Sequence, residues 1–287
     1  MMTLWGEQKR YSWKTVGVFI SRNFRYMQLE RVDSSGAKQM AGVLVVQEGD
    51  LVAVLHEHPD TAWETLVKIW AEFEPSKSAL DDDNIFDHLL GAAPPGSIVK
   101  EGGKLETGRS LAAELFENTY MNGYVAHAPI ETHNDLAEVK ATVWASTQTP
   151  FGVKEQVAGA LGMPSSRVRV KSVFVGAGFG GKSASRQAVE ADRLAKVVGR
   201  LVQVAWSRGE EFFNDTFMPA AILKIRSGVN DSGNMVLCGY TLSFAGSEGA
   251  ELLNHVPQYR EISCGSWQGS SRCHPIGTGP WRDYPEV

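Results

Sequence analysis

The segment of residues 176–182, which reads Gly-Ala-Gly-Phe-Gly-Gly-Lys, holds the residue types best suited to contact a ligand. Glycine lets the chain take positive φ and places no Cβ between the main chain and a ligand, so free N–H groups can bind an anion. Phe179 is the one large apolar side chain in this glycine run. The apolar residues 173–175 come just before it. The pattern therefore predicts a strand that leads into a ligand-binding turn.

A helix after the glycine run is expected to position this turn. Small and apolar residues recur there every three or four positions, as Ala184, Ala188, Ala191, Ala195 and Val198. This is the period of a helix face that packs on a core. Lys182 and Arg186 stand early and Gly199 follows the last of these residues. We expect a helix that starts near Lys182 and directs its free N–H groups toward the loop.

Residue types alone leave three interpretations of the glycine run open. Gly176, Gly178 and Gly181 fit the GxGxxG spacing of a dinucleotide fingerprint. The next predicted strand, residues 201–206, has no acidic residue for a ribose, which argues against that interpretation. A phosphate-binding P-loop fails when it is counted from Gly178, because only two residues separate it from Gly181. The third interpretation is a tight turn for close packing of a strand and a helix.

His127, Glu131 and His133 form a second group of potential ligands. Their spacing matches neither the helical HxxxH pattern nor another complete set of metal ligands. We therefore interpret them as a structural cluster whose carboxylate and imidazoles orient the loop that carries them.

Gln148 stands between a predicted strand, residues 142–146, and a predicted helix that begins at Pro150 and is stopped by Gly162. A glutamine in this position can cap the helix, or it can face a ligand at the strand end. Its position alone does not separate these two roles.

The order and spacing of these motifs resemble a known family. The chain reads Tyr-Val-Ala-His-Ala-Pro-Ile-Glu-Thr-His from residue 124 and Thr-Val-Trp-Ala-Ser-Thr-Gln-Thr-Pro-Phe from residue 142, followed by Ala-Leu-Gly-Met-Pro, Arg-Val-Arg-Val and the glycine run. This arrangement closely resembles the molybdenum-binding subunit of the xanthine dehydrogenase and aldehyde oxidase family. A looser resemblance to the hammerhead domain of that family covers Val-Asp-Ser-Ser-Gly-Ala from residue 32 and the apolar segments that follow.

The resemblance implies a molybdopterin cofactor, expected in its cytosine dinucleotide form and shared with a partner chain, with no protein side chain bound to the metal. In the family, the glutamine of the Thr-Gln-x-Pro-Phe motif donates a hydrogen bond to an oxygen ligand of molybdenum, and Gln148 matches it. Arg282 matches an arginine whose fixed cation stabilises developing negative charge. Cofactor contacts, with backbone N–H groups facing the oxygen ligands, are assigned by the same resemblance to Gly178, Phe179, Gly180 and Gly181.

Three departures from the family pattern affect the expected activity. Ser183 stands where the xanthine-specific branch has a purine-binding glutamate, so a purine substrate is not favoured. Ala177 replaces a usual glycine and requires negative φ or some strain. The family's catalytic glutamate, which acts as the general base, has no counterpart in these residues.

Composition excludes several classes of protein. The chain has 28 Lys and Arg against 33 Asp and Glu, a net charge of −5, which gives no basic surface for nucleic acid. No apolar stretch approaches the roughly 20 residues of a membrane span, and residues 1–14 lack an apolar signal core. Cys238, Cys264 and Cys273 form no CxxC pair. We expect a cytoplasmic protein with unpaired thiols and no iron–sulfur cluster of its own.

The predicted fold class is α/β (α+β) with two domains. Residues 1–75 predict a hammerhead-like domain, shortened at its N-terminus, with a hairpin of residues 43–46 and 51–55. Its helix should follow a capping box of Thr61 and Glu64. The apolar stripe of that helix is Ala62, Leu66, Ile69, Trp70 and Phe73. Residues 76–109 predict a polar linker, and residues 110–287 predict the first molybdopterin-binding domain, which begins with a strand at residues 115–120.

The resemblance implies part of a molybdenum hydroxylase that oxidises a small-molecule substrate, an aldehyde or N-heterocycle, with water as the oxygen source. Such a chain is incomplete alone and needs a second molybdopterin-binding chain, with iron–sulfur and FAD subunits as further partners. Two alternatives stay open. One is a non-catalytic remnant or assembly protein of the same fold, and the other is an unrelated nucleotide-binding protein that uses the glycine run.

Overall fold

The computed structural model describes residues 16–21, 28–49, 51–74, 81, 83–183, 185–244, 255–264 and 274–275. Helices and strands are mixed along the chain. The strands are β1 Val16–Ser21, β2 Gln28–Asp33, β3 Leu44–Glu48, β4 Leu51–His56, β5 Trp70–Glu74, β6 Ser97–Gly102, β7 Glu114–Asn122, β8 Val125–Ala126, β9 Asn134–Glu138, β10 Thr142–Ala145, β11 Arg169–Ser172, β12 Val202–Ala205, β13 Thr216–Met218, β14 Ala221–Val229, β15 Met235–Phe244, β16 Tyr259–Ser263 and β17 His274–Pro275. The helices are α1 Ser35–Lys38, α2 Pro59–Leu66, α3 Ile85–Ala92, α4 Leu105–Leu111, α5 Pro150–Leu161, α6 Arg186–Val198 and α7 Arg208–Asn214.

The chain divides into two compact units, and the first consists of Met1–Ser76 and His127–Thr216. Its main sheet has seven strands in the order β11-β10-β9-β12-β1-β4-β3. The pairs β10–β11 and β1–β12 are parallel, and the other neighbours are antiparallel. A parallel pair needs a long crossover connection, and α5 lies in the connection between β10 and β11.

Strand β4 separates two cores because its side chains alternate between the faces of the sheet. Leu51, Ala53 and Leu55 belong to the larger core, which also contains residues of α5 and α6. Val52 and Val54 belong to a smaller core with residues of α2. The predicted hairpin is confirmed, since β3 pairs antiparallel with β4.

The predicted ends of two helices are confirmed. Helix α5 begins at Pro150 and is followed by Gly162, whose φ is 66°. Helix α6 is followed by Gly199, whose φ is also 66°. Glycine takes this left-handed conformation without a Cβ penalty, which is why both helices stop there. The buried stripe of α6 is as predicted at Ala188, Ala191 and Ala195, while Ala184 lies outside the described residues.

The segment around the glycine run differs from the prediction at both ends. Residues 173–175 do not form a strand, because β11 ends at Ser172 where its partner β10 ends at Ala145. Beyond Ala145 the chain leaves the ladder, and the Ser146 N–H donates to Asp135 Oδ1. Helix α6 begins at Arg186, and Lys182 lies in a short 3₁₀ turn, Gly181–Ser183.

The helix predicted to reach Phe73 is also shorter than expected. It runs from Pro59 to Leu66 with His58 as N-cap, so the capping box proposed for Thr61 and Glu64 is wrong. Trp70–Glu74 instead forms a strand that pairs antiparallel with β2. Pairing with a strand distant in sequence overrides the local helical pattern, and Ile69 still packs in the predicted core.

The second unit consists of Lys77–Ala126 and Phe217–Val287. Its sheet has five strands in the order β6-β16-β15-β14-β7, and the predicted strand at residues 115–120 lies within β7. This division differs from the predicted boundaries, because each unit combines two separate segments. The predicted linker contains α3, β6 and most of α4. Its polar composition hid β6 because that strand pairs with the distant β16.

Among the described residues, none of the helices combines the length and the apolar character needed to cross a membrane.

Candidate functional site

The glycine run forms a strained loop in the first unit. Ala177 and Phe179 have φ values of 73° and 53°, and Gly180 has a φ of 108°. A non-glycine residue in this region costs on the order of 1–3 kcal/mol, and such residues cluster at functional sites. The strain foreseen at Ala177 is therefore present, and a second strained residue, Phe179, follows it.

At three of the four glycines in the run, neighbouring residues pack too closely to leave room for a Cβ. Only Gly180 among the four has a positive φ. A Cβ on Gly176 would lie 2.6 Å from Glu131 Cβ, and a Cβ on Gly181 would lie 2.5 Å from Asp215 Oδ2. A Cβ on Gly178 would clash with the amide oxygen of Gln148. The loop is thus packed directly against the residues that surround it, so the expectation that its glycines are needed for positive φ holds for Gly180 alone.

Gln148 is held against this loop from two sides. Its side-chain Oε1 accepts a hydrogen bond of 2.9 Å from the Gly180 N–H, and its own N–H donates to the Lys182 carbonyl at 2.9 Å. The side chain is exposed. With Oε1 used by the loop, the exposed amide still has the two N–H donors of its Nε2 group. Gln148 therefore does not cap α5, whose N-cap residue is Thr149.

Lys182, at the end of the loop, has no exposed side-chain surface, and its ammonium ion is paired. Nζ lies 2.6 Å from Glu131 Oε2 and donates to Ser146 Oγ at 2.9 Å. Glu131 Oε2 also accepts from Ser146 Oγ at 2.7 Å and from the Gly176 N–H at 2.9 Å. Burial acts to raise the pKa of Glu131, but these hydrogen bonds together outweigh it and hold the pKa below its usual range.

Asp135, His133 and Glu211 are further buried acid–base groups in the first unit. Burial raises the pKa of Asp135 to about 7, although its hydrogen bond from the Ser146 N–H opposes the shift. His133 Nδ1 lies 2.9 Å from Glu211 Oε1, and both side chains are buried. The His133 N–H donates to the other oxygen of Glu211 at 2.8 Å.

His127, Glu131 and His133 each have a different partner, so they do not converge as metal ligands. His127 Nδ1 lies 3.6 Å from Asp215 Oδ2, whereas Glu131 pairs with Lys182. In the part of the chain that the structure describes, no three His, Cys, Asp or Glu side chains form a potential metal site. The interpretation as a structural cluster agrees with these contacts.

The contacts of Lys182 also decide against a phosphate-binding P-loop. Counted from Gly176, residues 176–183 do satisfy the GxxxxGK[ST] spacing, which a count from Gly178 misses. A P-loop lysine must reach a phosphate, but Lys182 is buried and paired with Glu131. The α-helix that should follow at once begins only at Arg186.

Four large apolar side chains, which lie in the glycine run or close in sequence to it, to Gln148 or to Glu131, are strongly exposed. Ile130, Phe151, Phe174 and Phe179 are 91%, 83%, 78% and 71% exposed. Exposed apolar side chains that form a contiguous patch mark a surface that another molecule covers. Phe179 lies within the loop itself, so one of these exposed side chains belongs to the candidate site.

Comparison with known proteins finds a family whose sequence pattern includes the loop. The sequence of residues 92–260 matches the molybdopterin cofactor-binding domain. The chain belongs to this family. The matched range contains Gln148, the loop and Lys182, together with strands of both units.

Individual relatives agree with membership of the molybdopterin-binding xanthine dehydrogenase family. The molybdenum-binding subunit of an aldehyde oxidoreductase from Escherichia coli O157:H7 is 28% identical over 214 residues, which cover 72% of this chain and 29% of that one. The isoquinoline 1-oxidoreductase subunit beta of Brevundimonas diminuta is 25% identical over 275 residues, which cover 87% and 34%. The chain therefore spans about a third of the length of these relatives.

A solved structure shows the same fold. Quinoline 2-oxidoreductase from Pseudomonas putida 86 superposes with a TM-score of 0.66 at 17% identity, over 97% of this chain and 44% of that one.

The residues of the site fit a molybdopterin-type group. Gln148 offers a neutral amide donor at an exposed position, and Phe179 offers an exposed apolar face. The structure brings together Gln148, Gly178 and Gly180, with Gly181 packed on Asp215. The Gly180 N–H differs from the expectation that it faces an oxygen ligand, because it donates to Gln148. Arg282 lies outside the described residues.

The hydrogen bonds that join Lys182, Ser146 and Glu131 could not be predicted from the sequence. The sequence pattern assigns Lys182 to a helix and Ser146 to the end of a strand. The sequence carries no local signal for the partners of this lysine, which lie 51 and 36 positions away. The Ser-x-x-Glu pattern of Ser207 and Glu210 does carry a local signal, because it forms the capping box that begins α7, the helix that contains Glu211.

Proposed function

We propose that this chain provides part of the cofactor-binding face of a molybdenum hydroxylase that oxidises an aldehyde or an N-heterocycle with water as the oxygen source. The observation that carries the proposal is the placement of Gln148, whose amide oxygen is fixed by Gly180 and whose amide nitrogen stays available. Family membership supports the cofactor, and relatives named for aldehyde and isoquinoline oxidation support the substrate class. Ser183 stands where the xanthine-specific branch has its purine-binding glutamate, which favours a substrate other than a purine.

Each residue of the face has a distinct role in this proposal. The bound molybdenum centre would supply the redox chemistry. Gln148 would donate from Nε2 to an oxygen atom of the group, and as a neutral amide it would do so without changing the local charge. Phe179 would exclude water from one side of the group. Gly178 and Gly181 would keep the loop close to its supporting residues, and Arg282 would provide a fixed cation near developing negative charge.

The remainder of the catalytic unit is proposed to come from outside these residues. A second molybdopterin-binding chain or segment would hold most of the pterin, expected as the cytosine dinucleotide, and would supply the glutamate that acts as general base. Iron–sulfur and FAD subunits would carry the electrons away. The N-terminal part of the first unit would correspond to a hammerhead domain.

Purification of the tagged chain from its host under native conditions tests the proposal. We expect molybdenum and a pterin dinucleotide in the preparation, together with associated chains that mass spectrometry identifies. Partner chains without molybdenum or pterin would favour the non-catalytic remnant or assembly protein. Tight binding of NAD or ATP by the purified chain in a calorimetric titration would favour the nucleotide-binding alternative.

A further inference from the structure

The ammonium ion of Lys182 is a fully buried charge at the end of the loop, and nothing in the proposed chemistry uses it. Its side chain is fully buried, whereas the side chain of its partner Glu131 is 33% exposed. A buried ammonium ion is stable in a protein only when a counter-ion and hydrogen-bond acceptors compensate its lost hydration. Glu131 and Ser146 provide both.

The pair connects the two ends of the strained loop. At the start, Glu131 accepts the Gly176 N–H through Oε2, and its own N–H donates to the Gly176 carbonyl at 3.1 Å. At the end, the Lys182 carbonyl accepts from the Gln148 N–H at 2.9 Å. It also accepts from Thr147 Oγ1 at 3.0 Å. Between these fixed ends lie Ala177, Phe179 and Gly180 with positive φ.

We propose that Lys182 is a positioning residue, whose buried ammonium ion pairs with the partly exposed Glu131, holds the loop in its strained conformation and thereby fixes Gln148 toward the ligand. A strained conformation persists only when the surrounding structure over-determines it. The hydrogen bonds of the loop with Glu131 at its start and with Gln148 at its end meet this requirement. Because Lys182 and Glu131 neutralise each other, the site presents the amide of Gln148 to its ligand and not a cation.

This inference rests on the proposed function only for the identity of the ligand, so its test uses the full chain without cofactor. The measurement is hydrogen–deuterium exchange of the Gly176 and Gly180 amides, which donate to Glu131 and Gln148. Amides of β10 serve as an internal reference for the stability of the first unit.

The Glu131→Gln variant leaves the buried ammonium ion without a counter-ion. We expect the exchange of Gly176 and Gly180 to rise about a hundredfold, as for the broken buried pairs that are strongly destabilising. The Lys182→Met variant leaves only the partly exposed carboxylate, so its effect should be smaller. In the variant that combines both substitutions, the amide oxygen introduced at position 131 can still accept from the Gly176 N–H. Exchange should then return to within about tenfold of the wild type, since neutral replacement of both partners is often tolerated.

The exposed pair of Arg226 and Glu117, in the second unit, is the matched control. Its Arg226→Met variant should leave the loop amides unchanged, because exposed pairs contribute little. Equal acceleration of the loop and β10 amides in Glu131→Gln would overturn the inference, as would a double variant that exchanges faster than both single variants. If Glu131→Gln does not fold, Ser146→Ala replaces it, with a severalfold rise expected at the loop amides alone.

Molybdenum content of the natively purified wild-type protein is measured separately. Its absence would contradict the proposed function, whereas the exchange experiment decides the role of Lys182 whatever that content is.

Discussion

The side-chain Oε1 of Gln148 accepts a hydrogen bond from the Gly180 N–H at 2.9 Å, which joins the end of β10 to the strained glycine loop. This bond determines which end of the amide faces outward. It also explains why Gly178 must be glycine, since a Cβ there would occupy the space of the Gln148 amide.

Replacement of Gln148 by alanine in the holoenzyme should lower turnover about a hundredfold, the usual effect of losing one preorganised donor. Molybdenum should be retained, because the proposed contact is with an oxygen ligand and not with the pterin. Gln148→Glu keeps an acceptor for Gly180 but removes the Nε2 donor, so it should show a similar loss. Arg282→Ala should also lower turnover with molybdenum retained. Turnover and metal content measured on the same preparations check both, and full activity of Gln148→Glu would refute the donor role.

Two glycine substitutions in the loop should have different effects on cofactor retention. Gly178→Ala would displace the Gln148 side chain, and Gly180→Val would place a branched residue at a φ of 108°. We expect Gly180→Val to lose molybdenum and activity together, whereas Gly178→Ala, which acts on Gln148, should lower turnover with molybdenum retained. Gly159→Ala is the matched control, because a Cβ at Gly159 in α5 meets nothing within 4 Å. That control should be neutral or more stable by up to about 1 kcal/mol. Full metal content in Gly180→Val would make the loop an ordinary packing turn.

Asp135 should make the stability of the first unit depend on pH. Burial raises its pKa from 3.8 to about 7, so between these values the folded protein holds a proton that the unfolded chain releases. Stability should therefore fall as the pH rises through this window and level off above it, by about 1.4 kcal/mol for each pKa unit at most.

The Asp135→Asn variant tests this effect, since its amide oxygen can still accept from the Ser146 N–H. Its stability relative to the wild type should be greater at pH 8 than at pH 4 in urea titrations. Glu117→Gln, at an exposed position, is the control. Parallel stability curves for Asp135→Asn and the wild type would show that Asp135 does not titrate in this range.

The exposed apolar side chains near the loop should cause self-association when no partner covers them. Phe151 and Phe174 are 83% and 78% exposed, and stable obligate interfaces bury roughly 2,000 Å² or more. We expect concentration-dependent association of the isolated chain in sedimentation velocity, reduced in the Phe151→Ser/Phe174→Ser variant. A monodisperse wild-type monomer at high concentration would contradict this prediction.

Several parts of the fold could be predicted because their signals are local. The hairpin of β3 and β4 follows from two apolar runs around a turn, and Gly162 and Gly199 mark the ends of α5 and α6. Strand β5 could not be predicted, because Trp70–Glu74 has a helical pattern and becomes a strand only through pairing with β2. For the same reason β6 was hidden in an apparent linker.

The sequence by itself identified the family and proposed the residues of the candidate site, because motif order and spacing are properties of the chain. The tertiary structure decided how these residues act. Lys182 meets Glu131 and Ser146 from 51 and 36 positions away, and no local pattern encodes such a contact. Folding buries the ammonium ion, and burial makes its compensation by a carboxylate obligatory. The same packing places the Gly180 N–H on Gln148 and so leaves the Nε2 donor of that amide for a ligand.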